Sequence, residues 1–154
     1  MKKPLIILTG PTAVGKTRLS IALAKKVNGE IISADSMQVY RHMDIGSAKI
    51  RPEEMEGVPH HLIDVLDPEE AFHVVKFQEM AKAAMKEIYS RGRIPILVGG
   101  TGFYIQAIVR DIDFTENESD PAYREGLERT AEEKGALFLH EQLRRVDPDR
   151  KSVV

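Results

Sequence analysis

Residues Gly10-Pro11-Thr12-Ala13-Val14-Gly15-Lys16-Thr17 follow the spacing G-x-x-x-x-G-K-[ST]. That spacing is suited to gripping a polyphosphate. Backbone N–H groups gathered at the start of a helix attract phosphate oxygens. Gly10 and Gly15 allow backbone angles and a closeness of approach that a Cβ would block. Lys16 adds a point charge, and the Thr17 hydroxyl is a ligand for Mg²⁺. A chance match in a chain this long has a probability under about 1%. The plainer reading is a glycine turn between a strand and a helix. The motif says nothing of what the polyphosphate is attached to.

Two further groups fall where strands end. Asp35, followed by Ser36, Gln38 and Tyr40, closes an apolar run, and Thr101 follows Gly99-Gly100 after another. A carboxylate at such a place holds magnesium or accepts a proton from an attacking group, unless it is only a turn acid or helix cap. Thr101 is read either as a cap or as a hydroxyl on a phosphate or on Asp35. Many ATPases end the second of these strands in a magnesium-holding acid. Here Ile96-Leu97-Val98 runs into two glycines, which argues against a motor or a GTPase switch and for a small transferase. His60-His61 suggests a metal, but neighbours on an extended segment point to opposite faces and no further ligands cluster nearby. The acid-rich stretch from Glu116 to Glu133 reads as a solvated helix face.

The elements that must position these groups alternate. Leu5–Leu8 reads as a strand buried on both faces, and Leu19, Ala22, Leu23 and Val27 as a helical stripe closed by Asn28-Gly29. Glu30–Ala34 is a second strand and His61–Val65 a third. Val74, Phe77, Ala81, Ala84, Met85 and Ile88 mark a core-facing helix with Gly92 as its stop. Ile94–Val98 is a fourth strand, with Pro95 tolerable only near its start. Residues 44–60 read as loop with at most a short helix. The pattern predicts an α/β fold, a P-loop NTPase-like parallel sheet flanked by helices, over residues 1–113. After Asp113 come two consecutive helices, one started by Ser119-Asp120-Pro121 and stopped by Gly135, the other ended by Asp147-Pro148. Residues 114–154 therefore read as the start of a helical insertion, and the chain as a fragment of something longer.

Composition narrows the classes. With 154 residues, 42% hydrophobic and 30% charged, the chain is neither disordered nor membranous. No apolar run is long enough to span a bilayer, and the N-terminal one breaks at Thr9-Gly10-Pro11 without a cleavage site. The absence of cysteine excludes disulfides and thiolate metal sites and fits a cytoplasmic protein. A formal net charge of −2 gives no global pull toward nucleic acid.

The motif at 10–17 together with Asp35-Ser36-Met37-Gln38-Val39-Tyr40 resembles the tRNA isopentenyltransferase (tRNA dimethylallyltransferase) family of bacteria. So do Met43–Lys49, Gly57–Asp64 and Gly99–Tyr104, while Asp120–Arg124 resembles the start of the family's helical insertion. Ser47 and Phe103 are mild departures, standing where Thr and Leu are usual. The resemblance implies transfer of a dimethylallyl group from dimethylallyl diphosphate to N6 of the adenosine 3′-adjacent to the anticodon. It places the diphosphate on residues 10–17 with Mg²⁺ through Thr17, makes Asp35 the base, and has Thr101 hold the diphosphate or orient Asp35. Asp35, Ser36, Met37, Gln38 and Thr101 would meet the tRNA target, and Arg124 the tRNA backbone of the anticodon stem-loop. The chain would act as a monomer away from membranes. The family runs on well past this length, which implies that contacts from its second half are missing here. The residues alone also suit a shikimate-kinase-like phosphoryl transferase with ATP in the cradle, or a non-catalytic binding fragment.

Overall fold

The computed structural model describes residues 3–11, 13–114 and 120–148. Along the chain run β1 (Ile6–Thr9), α1 (Lys16–Val27), β2 (Gly29–Ser33), a 3-10 turn (Pro52–Met55), β3 (His60–His61), α2 (Val74–Ser90), β4 (Ile94–Gly99), α3 (Gly102–Val109), α4 (Pro121–Lys134) and α5 (Ala136–Val146). The four strands form one parallel sheet in the order β1-β4-β2-β3. The chain separates into two compact units, divided between Asp113 and Phe114.

Strand parity builds the first unit. Ile31 on β2 and Ile96 on β4 pack with Ile21 and Ala24 of α1. Their neighbours Ile32, Ala34 and Leu97 pack on the other face with Phe77 and Ile88 of α2 and Ile105 of α3. Both faces of the central strands β2 and β4 are thus covered, as a parallel sheet requires, whereas edge strand β1, expected to be buried on both faces, alternates half-buried and exposed. Pro95 is tolerated in a central strand for a local reason. Ile94 N–H bonds Asn28 of the β2 side, so Pro95 turns toward β1, whose pairing begins only at Ile6↔Ile96.

Two further expectations need correction. The third strand is only His60–His61, because Leu62 (φ 63) and Asp64 (φ 54) adopt left-handed backbone that ends the pleat. The helix after Thr101, α3, was implied only by reading Thr101 as a cap and was given no bounds; it lacks polar spacing because Tyr104, Ile105, Ala107 and Ile108 are all buried.

Gly99 is required by the β4–β2 approach. A Cβ there would lie 2.3 Å from the Ala34 carbonyl oxygen, which belongs to backbone. Gly99→Ala is expected to lose at least about 1–3 kcal/mol of stability, read as a fall in melting temperature. An unchanged melting curve would show that the two strands part there without cost.

Glu30 anchors the other end of β2. Its carboxylate, 1% exposed, takes Arg91 at 2.8 Å, Arg93 at 3.1 Å and the His61 imidazole at 2.7 Å. Burial alone would raise its pKa, but the hydrogen bonds from Arg91 and His61 outweigh it and hold the carboxyl at about 2 against an ordinary 4.5. A depressed acid stabilises the fold above pH 4.5, and that contribution disappears as pH falls from 4.5 toward 2. It amounts to at most about 3 kcal/mol, since both arginines are more than a third exposed. Acid titrations of melting temperature should show this slope in the parent and not in Glu30→Gln.

In the second unit, Asp120 caps α4 by accepting the Tyr123 N–H at 2.9 Å, with Pro121 in the first turn. Gly135 (φ 82) stops α4 and starts α5. Ser119 of the expected start lies outside the described residues. Neither helix buries a residue, and Leu137 and Val146 are largely exposed.

Candidate active site

The described residues between β1 and α1 form a loop with the backbone shape of a phosphate cradle. Ala13 (φ 65) and Gly15 (φ 84) are left-handed on either side of Val14, an alternation that curls peptide N–H groups toward one point. Gly15 is the N-cap of α1, so no side chain caps the first turn, and that turn holds no acid. The first intrahelical bond of this end is Leu19 N–H to Gly15 O at 3.1 Å. The N–H groups of the first turn are therefore open to an anion. Lys16 Nζ folds back onto the loop, donating to the Gly10 carbonyl at 2.8 Å and to the Pro11 carbonyl. Thr12 lies outside the described residues.

A cavity of about 690 Å³ opens beside the cradle, within the range of small-ligand sites. Gly10, Pro11, Ala13, Gly15, Lys16 and Thr17 line one side of it, and Asp35, Gly99, Gly100 and Thr101 another. The structure thus brings the cradle, the carboxylate and the hydroxyl together beyond the carboxyl ends of the strands, the usual ligand position in such sheets. Val14 is exposed and contributes no side chain to the lining. Met37 and Gln38 reach the wall; Ser36 does not. Arg124 belongs to the second unit, exposed and bonded to Glu128 at 3.0 Å.

Asp35 does two things at once. Its Oδ1 accepts the N–H groups of Met37 at 2.8 Å and Gln38 at 3.2 Å, closing an Asx turn. Among the described residues, Oδ2 accepts no hydrogen bond. Gln38 is held from three sides: Ser33 Oγ donates to its Oε1 at 3.1 Å, while its Nε2 donates to Ser47 O at 3.4 Å and Ala48 O at 3.2 Å. Its amide ties the end of β2 to the 46–48 turn. Thr101 occupies the N-cap of α3 but makes no side-chain capping bond, so its hydroxyl is available to the cavity.

Several lining residues were not foreseen. Parity along β2 turns Ile31 and Ser33 to the same face, and Asp35, two residues past the strand end, continues it, giving a wall that passes from apolar to hydroxyl to carboxylate. His60, paired with Ile31, joins them, whereas His61 turns to Glu30 on the opposite face. The two histidines therefore cannot share a metal, and no cluster of three His, Cys, Asp or Glu that could hold one occurs among the described residues. His60 Nδ1 donates to the Val58 carbonyl at 2.8 Å, and burial pushes its pKa below the ordinary imidazole value. It is neutral near pH 7, with Nε2 as an acceptor.

A family model described as IPP transferase matches residues 38–154. The chain belongs to the IPP transferase family. The family model begins after the cradle, and the relatives below extend the likeness across it. A tRNA dimethylallyltransferase of Lachnoclostridium phytofermentans is 68% identical over 146 residues, covering 95% of this chain and 47% of that protein. One of Geobacillus thermodenitrificans is 58% identical over 149 residues, covering 97% and 47%. The chain spans about half the length of the curated relatives it matches. Among solved structures, the full-length tRNA isopentenylpyrophosphate transferase of Bacillus halodurans matches with TM-score 0.74 at 50% identity, over 99% of this chain and 50% of that one. A eukaryotic dimethylallyltransferase acting on tRNA matches with TM-score 0.81 at 37% identity, over 97% and 37%. These relatives set the family fold on a P-loop NTPase-like sheet. No described helix is long and apolar enough to cross a membrane.

Proposed function

We propose that the protein containing this chain transfers a dimethylallyl group from dimethylallyl diphosphate to N6 of the adenosine 3′-adjacent to the anticodon of tRNA, releasing diphosphate. The observation that carries the reading is the cavity itself: a polyphosphate cradle, a carboxylate with a spare oxygen and an apolar wall share one space. A kinase acceptor would not need that wall. The names of the relatives, tRNA dimethylallyltransferases and a dimethylallyltransferase acting on tRNA, support a dimethylallyl donor and a tRNA acceptor.

The residues divide the work as follows. The open N–H groups of α1 and the Lys16 ammonium hold the diphosphate, and they stabilise the negative charge it gains as the allylic C–O bond breaks with its electron pair. The adenine amine forms the new C–N bond, and its proton passes to Asp35 Oδ2. Thr101 bonds the diphosphate or orients Asp35. Because bases are stacked in tRNA, the adenine must be turned out to reach the cavity, with Asp35, Met37, Gln38 and Thr101 at its rim and Ser36 beside it. Arg124 meets the tRNA backbone of the anticodon stem-loop. The protein acts as a cytoplasmic monomer.

Thr17 offers a hard oxygen donor on the cavity wall, and no all-protein cage of three His, Cys, Asp or Glu occurs among the described residues. That donor set fits Mg²⁺, which keeps several waters and binds through one or two protein oxygens plus phosphates. Bound there through Thr17, Mg²⁺ would supply further charge neutralisation on the diphosphate.

The test incubates the full-length gene product with radiolabelled dimethylallyl diphosphate, Mg²⁺ and unmodified tRNA. Label should appear in tRNA without ATP. No transfer, alongside ATP-dependent labelling of a small acceptor, would reject the proposal.

A further inference from the structure

Part of the cavity wall is apolar, and its four main contributors are not equivalent. Ile31 and Val98 come from β2 and β4, fixed by strand pairing and by the core beneath. Ile50 and Ile63 pack into the same core cluster but come from outside the sheet, one after the 46–48 turn and the other after β3. Their chain neighbours, Lys49 and Asp64, are joined by an ion pair at 2.6 Å. Lys49 also donates to the Tyr40 carbonyl and Asp44, each at 2.8 Å, and its side chain is only 5% exposed. Burial lowers the Lys49 pKa, but the bonds from Asp44 and Asp64 more than reverse this, so the clamp is charged at every physiological pH. A nearly buried, three-coordinate ammonium thus locks together the two segments that carry Ile50 and Ile63.

We infer that Ile50 and Ile63 are the specificity determinants that set how long a hydrocarbon the cavity accepts beyond the diphosphate. The inference rests on the proposed donor and deepens it. A branched five-carbon tail leaving the cradle is desolvated against this wall. A ten-carbon tail has to displace side chains whose backbone the Lys49 clamp holds in place. Apolar pockets discriminate by one added or missing methylene about 10–200-fold, which sets the size of the effect.

The test measures binding of pyrophosphate, dimethylallyl diphosphate and geranyl diphosphate to the full-length gene product with Mg²⁺, by calorimetry. The parent should bind dimethylallyl diphosphate more tightly than pyrophosphate and disfavour geranyl diphosphate about tenfold or more. Ile50→Ala and Ile63→Ala should each narrow the preference for the five-carbon donor about tenfold, leaving pyrophosphate affinity within about twofold. Ile63→Phe should do the reverse, weakening dimethylallyl diphosphate about tenfold with pyrophosphate unmoved. If Ile50→Ala fails to fold by circular dichroism, the two Ile63 variants decide, since Ile63 is only half-buried. A ranking of donors unchanged in all folded variants overturns the inference while leaving the donor reading intact. Failure of the parent to bind any of the three diphosphates overturns both.

Discussion

Asp35→Asn is expected to lower kcat by about 10²–10⁴-fold, the size of effect for loss of a general base, while leaving the local fold in place. The asymmetry of the carboxylate makes this a clean experiment. Oδ1 holds the Asx turn through Met37 and Gln38, and Oδ2 is the oxygen left over. Asparagine keeps a carbonyl oxygen to accept both N–H groups but has no basic oxygen to take a proton. Alanine removes both functions, so Asp35→Ala should also lose about 1–3 kcal/mol as two hydrogen bonds disappear. Steady-state kinetics on the full-length gene product and melting curves on this chain separate the two. KM for dimethylallyl diphosphate should stay within about twofold in the asparagine variant, because the cradle is untouched. An asparagine variant that retains more than a tenth of the parent kcat means the proton goes elsewhere.

The same residue shows how far the sequence could be read. The turn-acid reading of Asp35 describes Oδ1 in the structure, the functional reading proposed above falls to Oδ2, and no sequence signal could have divided the two oxygens. The cradle was legible because its spacing is local: eight consecutive residues fix the loop and the start of α1. The α/β alternation was legible because short apolar runs, Ile6–Leu8, Ile31–Ile32 and Ile94–Val98, alternate with stripes of helical spacing. The wall of the cavity was not, because it is assembled from residues far apart: Ile31, Ile50, Ile63 and Val98 meet only once the strand order is known. Parity offered a partial signal, since Ile31 and Ser33 alternate along one strand and must share a face, which Asp35 continues two residues past its end.

The segment after β3 failed for a different reason. Residues 61–65 have the composition of a strand, yet Leu62 and Asp64 are left-handed, and Asp64 is held there by Lys49 and by its carbonyl accepting from Arg41 Nε at 3.2 Å. Tertiary bonds from 15 and 23 residues away override the local preference. The same clamp shapes the apolar wall, so the place where local propensity misleads is also a place where the cavity is built.

Lys16→Ala should abolish most diphosphate affinity, raising Kd for pyrophosphate about 10²-fold or more. In the structure the ammonium is satisfied by the Gly10 and Pro11 carbonyls, so anion binding must exchange or share those bonds for phosphate oxygens. The exchange is favourable because a full charge replaces a carbonyl dipole. At about 4 Å and an effective dielectric near 20, one unit charge contributes about 4 kcal/mol. Part of that is returned as the carbonyl bonds loosen, leaving about 3 kcal/mol, or two decades in Kd. Arginine should not rescue it, since a planar guanidinium cannot sit as a point charge within this loop. A salt titration supplies the internal control: pyrophosphate affinity should fall with ionic strength in the parent and much less in the alanine variant. If Lys16→Ala binds pyrophosphate within about threefold of the parent, phosphate is held somewhere other than this loop. Asp35 would then face no leaving group, and the loss of kcat in Asp35→Asn would need another cause.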